Sequence, residues 1–185
     1  SLWACVAPGL TTIDEPVNVG KKPEVVEGPY WDECSFNGGD HICDLFLPTA
    51  DGGEERLYDH YGEVIVIDVS AMWCGPCQFA GSFTQQIQDQ YSDVVMATLL
   101  IDGYTAGLPP TEDELDEWVN SHEITTAPVL YASRDLIFDP IGNGVEGYNI
   151  TGFPTYVYID KNGIIQYIHT GFSPSYVNDI IKGLQ

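Results

Sequence analysis

Basic residues are scarce in this chain of 185 residues: six Lys and Arg stand against 28 Asp and Glu, for a formal net charge of −22. Such an acidic surface repels phosphate backbones and anionic lipid headgroups, which argues against binding nucleic acid or a membrane surface. The sequence lacks any apolar run near the ~20 residues of a membrane-spanning helix. It also lacks the start of a signal peptide, which is either absent or already removed. The acidity favours a solvated surface or, as the alternative, basic protein partners.

Cysteine is also infrequent, with five residues at positions 5, 34, 43, 74 and 77. Cys74 and Cys77 form a C-x-x-C pair, which is typical of redox catalysis or of half a zinc site. A structural zinc site needs a second close pair of ligands, and the other cysteines and the four histidines are too scattered to supply it. We therefore expect no metal. Cysteines outside the reactive pair favour an oxidising compartment, such as the periplasm or the cell exterior.

The pattern of the chain predicts one α/β domain over residues 41–185, preceded by an irregular N-terminal extension over residues 1–40 that is rich in proline. The run 64–69 is almost continuously β-branched, as in a strand buried on both faces of a sheet. The Asn-Gly step within 160–163 predicts a type I′ hairpin turn. The order of elements is βαβ, an inserted αβ unit and ββα. Strands are predicted over 42–47, 54–61, 64–69, 94–101, 128–132, 155–159 and 164–169, with helices after Cys77, from Thr111 and from Ser173.

The C-x-x-C pair lies between the end of a predicted buried strand and the start of a predicted helix. A helix N-terminus offers free N–H groups and a partial charge of about +0.5, so we expect Cys74 to have a pKa below that of a free thiol. Cys77 lies one turn further on the same side, within reach for a disulfide. Pro76 suits the first turn, and Gly75 leaves the approach to the sulfur open. The pattern predicts that Cys74 attacks a substrate disulfide and that Cys77 resolves the mixed disulfide.

Four short motifs together resemble thioredoxin, over roughly residues 62–101 and 146–185. The longer N-terminal extension and the inserted helix and strand around 111–132 look more like the exported TlpA/redoxin branch of that superfamily. The resemblance implies a thioredoxin-like fold, a central mixed sheet flanked by helices, and a thiol–disulfide oxidoreductase activity. The motifs are Asp68-x-x-x-x-Trp73-Cys74-Gly75-Pro76-Cys77, Gly152-Phe153-Pro154-Thr155, Lys161-Asn162-Gly163 and Gly171-Phe172.

The resemblance also implies a cis-proline at Pro154 beside the active-site disulfide, and a flat, mostly apolar surface on which substrates dock. Exposed backbone beside the proline would pair with an extended substrate segment. Phe153 and Phe172 have an alternative role as ordinary core residues. The implied substrate-binding residues are Trp73, Gly75, Pro76, Phe153, Thr155, Gly171 and Phe172.

Asp68 interrupts an otherwise apolar strand, and a buried carboxylate is costly enough to require a reason. In thioredoxin the matching acid accepts and donates the proton of the buried second cysteine, so Asp68 resembles a general acid–base for Cys77. Thr98 stands where the family often has a lysine near that acid. Without the cation, the pKa of Asp68 should be raised.

The three remaining cysteines allow several pairings. Cys34 and Cys43 enclose a loop with enough glycine to bring its ends together, which predicts a structural disulfide; Cys5–Cys34 and Cys5–Cys43 remain as alternatives. The run from Leu2 to Cys5 resembles the end of a lipoprotein signal, although its tryptophan is unusual there. Any membrane attachment would be a lipid anchor at Cys5.

These observations favour an exported, TlpA-like reductase of protein disulfides in the periplasm or cell envelope. We expect no cofactor beyond the redox-active disulfide Cys74–Cys77. The expected partners are protein thiols or disulfides and an upstream electron donor. Gly-Pro between the cysteines resembles the reducing members of the superfamily. The alternatives are an oxidase or isomerase with the same site, and a redox-passive binding lipoprotein of the same fold. Ala71 stands where related peroxidases have threonine, which disfavours peroxidase chemistry.

Overall fold

The structure, a computed structural model, describes residues 34–135 and 150–185. Within these ranges a five-stranded sheet has the order β5-β4-β3-β6-β7, and β1 and β2 form a separate antiparallel hairpin. The strands are Phe46–Pro48 (β1), Glu54–Arg56 (β2), Val64–Ala71 (β3), Val94–Asp102 (β4), Val129–Tyr131 (β5), Thr155–Ile159 (β6) and Ile165–Thr170 (β7). The helices are Gly75–Gly81 (α1), Thr84–Gln90 (α2), Glu112–Ser121 (α3) and Pro174–Leu184 (α4), with a 3-10 helix at Leu57–His60.

The sheet is mixed, as expected for the α/β class: β3 runs parallel to β4 and antiparallel to β6. Both β3 and β4 are buried along their whole length, which explains why 64–69 is rich in β-branched residues. Side chains alternate between the two faces of a strand. Ile65 and Ile67 therefore face one side of the sheet, and Val66 and Asp68 face the other.

The two faces of the sheet are covered differently. The face of Ile65 and Ile67 packs against the segment from Phe36 to Leu57, which brings no long helix. The opposite face packs against α1, α2 and α4. Asp68 therefore lies on the face that the helices cover, and α1 carries Cys77 above that face.

The described residues before position 41 pack against the domain. Phe36 is 1% exposed and belongs to the core, and the amide of Gly39 donates to the carbonyl of Ile165 at the β7 edge. At the other edge the amide of Ala50 donates to the carbonyl of Val129. Residues 34–40 therefore pack on the domain, because a buried aromatic and edge hydrogen bonds hold a segment that has no periodic pattern. The earlier part of the extension, with Cys5, lies outside the described residues, as does the predicted loop 142–147.

Several predicted elements differ in detail. The first hairpin is short: its second strand ends at Arg56, and the 3-10 helix follows over most of the rest of the predicted strand. The helix after Cys77 is divided into α1 and α2. The hairpin turn is not type I′, which needs two residues of positive φ, because only Gly163 has one. The apolar spacing of the last helix predicts that Tyr176 faces the core, but this residue is 49% exposed. No helix of the two described ranges is long and apolar enough to cross a membrane.

Candidate active site

The turn that carries Cys74 joins the end of β3 to the start of α1. It is held by backbone bonds: the amide of Cys74 donates to Ala71 (3.1 Å), and that of Met72 donates to Asp102 (3.0 Å). The side-chain amide of Gln78 donates to the carbonyl of Met72 at 2.8 Å. Cys74 itself is the N-cap of α1, with extended backbone angles. The sulfur is thereby fixed at the end of a helix.

Cys74 and Cys77 are joined by a disulfide, so the structure shows the oxidised form. The amide of Cys77 also donates to the Cys74 sulfur at 3.2 Å, as an N-cap interaction does. Cys74 retains 4% of its surface and Cys77 none, while Gly75 and Pro76 are exposed. A reacting partner therefore reaches the pair from the side of Cys74.

The loop before β6 meets this pair from the neighbouring strand. The Phe153–Pro154 peptide bond is cis. The carbonyl of Pro154 accepts from the amide of Gly171 at 2.8 Å, and Gly171 has φ +98°, a conformation that favours glycine. The ring of Phe153 packs against the cluster that contains both cysteines and meets the Trp73 ring edge-on at 5.9 Å. The structure thus brings Trp73, the cysteine pair and the Phe153–Pro154 bond together.

Two residues of the implied docking surface have other roles. Thr155 is 1% exposed, and its hydroxyl is 2.7 Å from the Gly152 carbonyl, to which it donates, and 3.0 Å from the Thr170 hydroxyl. The side chain therefore holds the cis-proline loop from inside, and its contact with substrate stays a prediction. Phe172 is partly buried and packs against the core under the helices, beside Phe83 and Tyr156.

Asp68 is fully buried on the face of the sheet that α1 covers. Its Oδ1 accepts a hydrogen bond from the Ser70 hydroxyl at 2.7 Å. In the strand register it lies opposite Thr98 on β4 and Tyr156 on β6. Among the described residues, Oδ2 has no hydrogen-bond partner, and neither does the Thr98 hydroxyl. No cation is placed beside this carboxyl by either neighbouring strand.

The pKa of Asp68 is raised to about 7, because burial penalises its charged form. Ser70 and Tyr156 oppose the shift, and the Tyr156 hydroxyl does so without reaching the geometry of a full hydrogen bond. The raised pKa predicted from the missing lysine at position 98 is confirmed in direction. The pKa of Tyr156 is raised as well, first by burial and then by the nearby Asp68. Asp68 is therefore poised to exchange a proton near neutral pH.

The contact that fixes Trp73 is not among the features predicted from the sequence. Its indole N–H donates to Asp102 Oδ2 at 2.9 Å, and the Gly107 amide donates to the same oxygen at 2.9 Å. Arg134 Nε donates to the other oxygen at 2.8 Å. Burial raises the pKa of Asp102, but the bonds from Arg134, Gly107 and Trp73 outweigh it and leave the pKa below its usual value. An acid at the end of an otherwise apolar buried strand, Ile101-Asp102, was the available signal.

The remaining described cysteines lie in the N-terminal segment. A disulfide joins Cys34 to Cys43, the first of the three pairings considered. Cys43 is buried in the core and Cys34 packs beside it. The disulfide therefore closes the loop that contains Phe36.

Comparison with known proteins gives a consistent set of relatives, although no protein-family model matches the chain. The chain is similar to the thioredoxin-like protein YneN of Bacillus subtilis, with 25% identity over 139 residues, or 75% of each protein. It is similar to the crystal structure of a putative thiol:disulfide interchange protein DsbE from Chlorobium tepidum: 25% identity, TM-score 0.62, covering 82% of this chain and 100% of that one. It is also similar to the exposed lipoprotein thioredoxin Etrx1 from Streptococcus pneumoniae: 25% identity, TM-score 0.61, covering 77% and 100%.

Proposed function

Because the chain is a redoxin-type member of the thioredoxin superfamily of thiol–disulfide oxidoreductases, we propose that it reduces disulfides in other proteins. One observation carries the proposal: the Cys74 sulfur caps α1 and accepts the Cys77 amide at the only accessible side of the pair. This arrangement stabilises a thiolate on Cys74, which is the reactive form of cysteine.

The proposed reaction is a pair of thiol–disulfide exchanges. The Cys74 thiolate attacks one sulfur of the substrate disulfide, forms a mixed disulfide and releases the other sulfur as a thiolate, which takes up a proton. The Cys77 thiol loses its proton and attacks Cys74, which releases the second substrate thiol. Two electrons pass from the protein to the substrate, and the protein is left as the Cys74–Cys77 disulfide. A thiol-containing electron donor then restores the dithiol.

Asp68 is proposed as the group that takes the proton from Cys77. Its burial on the helix-covered face and its pKa of about 7 suit a proton acceptor that must also return the proton. With a pKa of about 7, both its ionised and its protonated form are populated at neutral pH. Because the ionised form has no cationic partner on the neighbouring strands, it can accept a proton without first breaking an ion pair.

Substrate docking is proposed for the surface around Trp73, Gly75 and Pro76, and the Phe153–Pro154 loop. The Pro154 carbonyl is already occupied by Gly171, so the backbone offered to an extended substrate segment lies at Phe153. The pair itself supplies the redox equivalents, so the proposal needs no cofactor beyond the Cys74–Cys77 disulfide.

The direction of the reaction is tested by the reduction potential of the pair. A reduction potential close to that of thioredoxin, about −270 mV, supports a reductase. A potential close to that of a strong oxidant, about −120 mV, contradicts the proposed direction. In insulin reduction, Cys74→Ser should abolish activity and Cys77→Ser should trap mixed disulfides. Cys34→Ser, which removes only the structural disulfide, is the matched control and should retain turnover.

Export to the periplasm or cell envelope is the proposed location. The structural disulfide Cys34–Cys43 needs an oxidising compartment, and the similar Etrx1 is described as an exposed lipoprotein. A lipid anchor at Cys5, outside the described residues, stays a prediction. Metabolic labelling with a radioactive fatty acid should mark the protein expressed with its native leader, and Cys5→Ala should abolish the label.

A further inference from the structure

The loop that follows β4 exposes apolar side chains next to Trp73. Leu108 is 56% exposed and Tyr104 is 54% exposed, and Trp73 beside them is 44% exposed. The Gly107 amide and the Trp73 indole N–H bind the same oxygen of Asp102. Because they share this acceptor, the loop backbone and the indole lie next to each other, close to the cysteine pair.

This loop is held by hydrogen bonds that do not involve the side chain of Leu108. The Gly103 amide donates to the Leu108 carbonyl at 2.8 Å, and the Leu108 amide donates to Thr105 at 3.1 Å. Glu114 accepts from the Tyr104 amide at 2.8 Å. These hydrogen bonds fix the backbone of the loop, while the side chain of Leu108 remains exposed to water. A rigid, exposed apolar group costs little entropy to bind, which suits a recognition surface.

The border of this surface is acidic. The first turn of α3 carries exposed Glu112 and Asp113, and Glu117 accepts from the Tyr104 hydroxyl at 2.7 Å. Arg134 is partly exposed, but its guanidinium is paired with the carboxylate of Asp102. An apolar surface edged by carboxylates complements a partner that offers an apolar residue next to a basic one.

We propose that Trp73, Tyr104 and Leu108 form a docking surface for an extended segment of a disulfide-bearing protein in which an apolar residue is followed by lysine or arginine. The apolar side chain packs on Leu108 and Trp73, and the basic one lies against the acidic turn of α3. The proposal rests on the proposed function. It adds the class of substrate that the site selects.

Two disulfide-bonded peptides, identical except for Lys or Glu after a leucine, test the proposal in single turnovers with the fully reduced protein. A small aromatic disulfide provides the reference rate. We expect kcat/KM for the Lys peptide to exceed that for the Glu peptide, with a ratio that shrinks as salt is added. Leu108→Ser should lower the ratio of peptide rate to reference rate about tenfold, mainly through KM. Tyr167→Ser, which removes a similarly exposed side chain on β7, should leave that ratio unchanged.

The charge contribution is tested separately by Glu112→Gln with Asp113→Asn, which should reduce the preference for the Lys peptide several-fold. Asp179→Asn, an exposed acid on α4, is its control. Equal rates for the two peptides, or a Leu108→Ser variant that behaves like Tyr167→Ser, would overturn the docking surface. Those results would leave reduction of the small disulfide intact, whereas failure of the proposed function would abolish it as well.

Discussion

Replacing Asp68 by asparagine should stabilise the oxidised protein, and the gain should grow with pH. The carboxyl has a pKa of about 7 in the folded protein and an ordinary pKa of 3.8 in the unfolded chain. Above both values the folded protein must hold a buried charge, which costs about 4 kcal/mol at 1.36 kcal/mol per unit. Because the folded pKa is the higher one, this cost is absent below pH about 4, develops as the pH rises to about 7 and is constant above. Asparagine has nearly the same shape and no charge, so it removes the cost.

The assay is urea unfolding of oxidised wild type and Asp68→Asn at two pH values. The difference between the unfolding free energies of the two proteins cancels the contributions of all other titrating groups. Linkage predicts that the stabilisation by asparagine is about 2 kcal/mol larger at about pH 8.5 than at about pH 5.5. The exposed acid Asp179, changed to asparagine, should give a difference that does not depend on pH in this range.

Two outcomes would refute this reasoning. A gain that is the same at both pH values would mean that Asp68 is ionised throughout. A variant that is less stable at both would mean that the carboxylate is held by interactions stronger than its hydrogen bond from Ser70. The same variant should resolve mixed disulfides more slowly at neutral pH, since Cys77 would have no proton acceptor.

Three further predictions concern single side chains. Tyr156→Phe removes a hydroxyl that lowers the pKa of Asp68, so the pH profile of mixed-disulfide resolution should move to higher pH, while an unmoved profile would exclude any role for the hydroxyl. Gly171→Ala places a side chain at φ +98° and should lower the free energy of unfolding by about 1–2 kcal/mol. Gly183→Ala, at a position of α4 where an added Cβ meets no other atom, should not lower it. Equal effects of the two substitutions would contradict the argument. Cys34→Ser opens the loop to Cys43 and should cost about 2.5 kcal/mol in urea unfolding, whereas unchanged stability would show that the disulfide adds nothing.

Local patterns were predictable from the sequence because each depends on neighbours along the chain. The capping box at the start of α3 is one case: Thr111 accepts from the Glu114 amide, and the Glu114 carboxylate accepts from the Thr111 amide. The burial of Asp68 is another, since it follows from an acid within a β-branched run. The order of strands and helices was predictable in the same way, because the spacing of apolar residues changes where a strand gives way to a helix.

Contacts between distant residues were not predictable in this way. Trp73 and Asp102 are 29 positions apart, and Asp102 and Arg134 are 32 apart. The break between α1 and α2 has a similar origin. The ring of His122 packs where a side chain on Gly81 would lie, and its Nε2 is 3.0 Å from the Gln78 carbonyl oxygen. The apolar stripe of the sequence continues through this break, so periodicity alone predicts one helix.

The surroundings of two aspartates near the cysteine pair shift their pKa values in opposite directions. Asp102 is buried but receives donors from Trp73, Gly107 and Arg134, so it stays ionised and acts as a fixed anchor. Asp68 is buried with only a hydroxyl donor and has its pKa raised to about 7. A change of pH across the neutral range therefore alters the charge of Asp68 and leaves that of Asp102 unchanged. Separate environments for two like acids are how one site assigns proton transfer to one group and positioning to the other. It follows that the rate of disulfide resolution should respond to pH near 7 while the docking of substrate beside Trp73 does not.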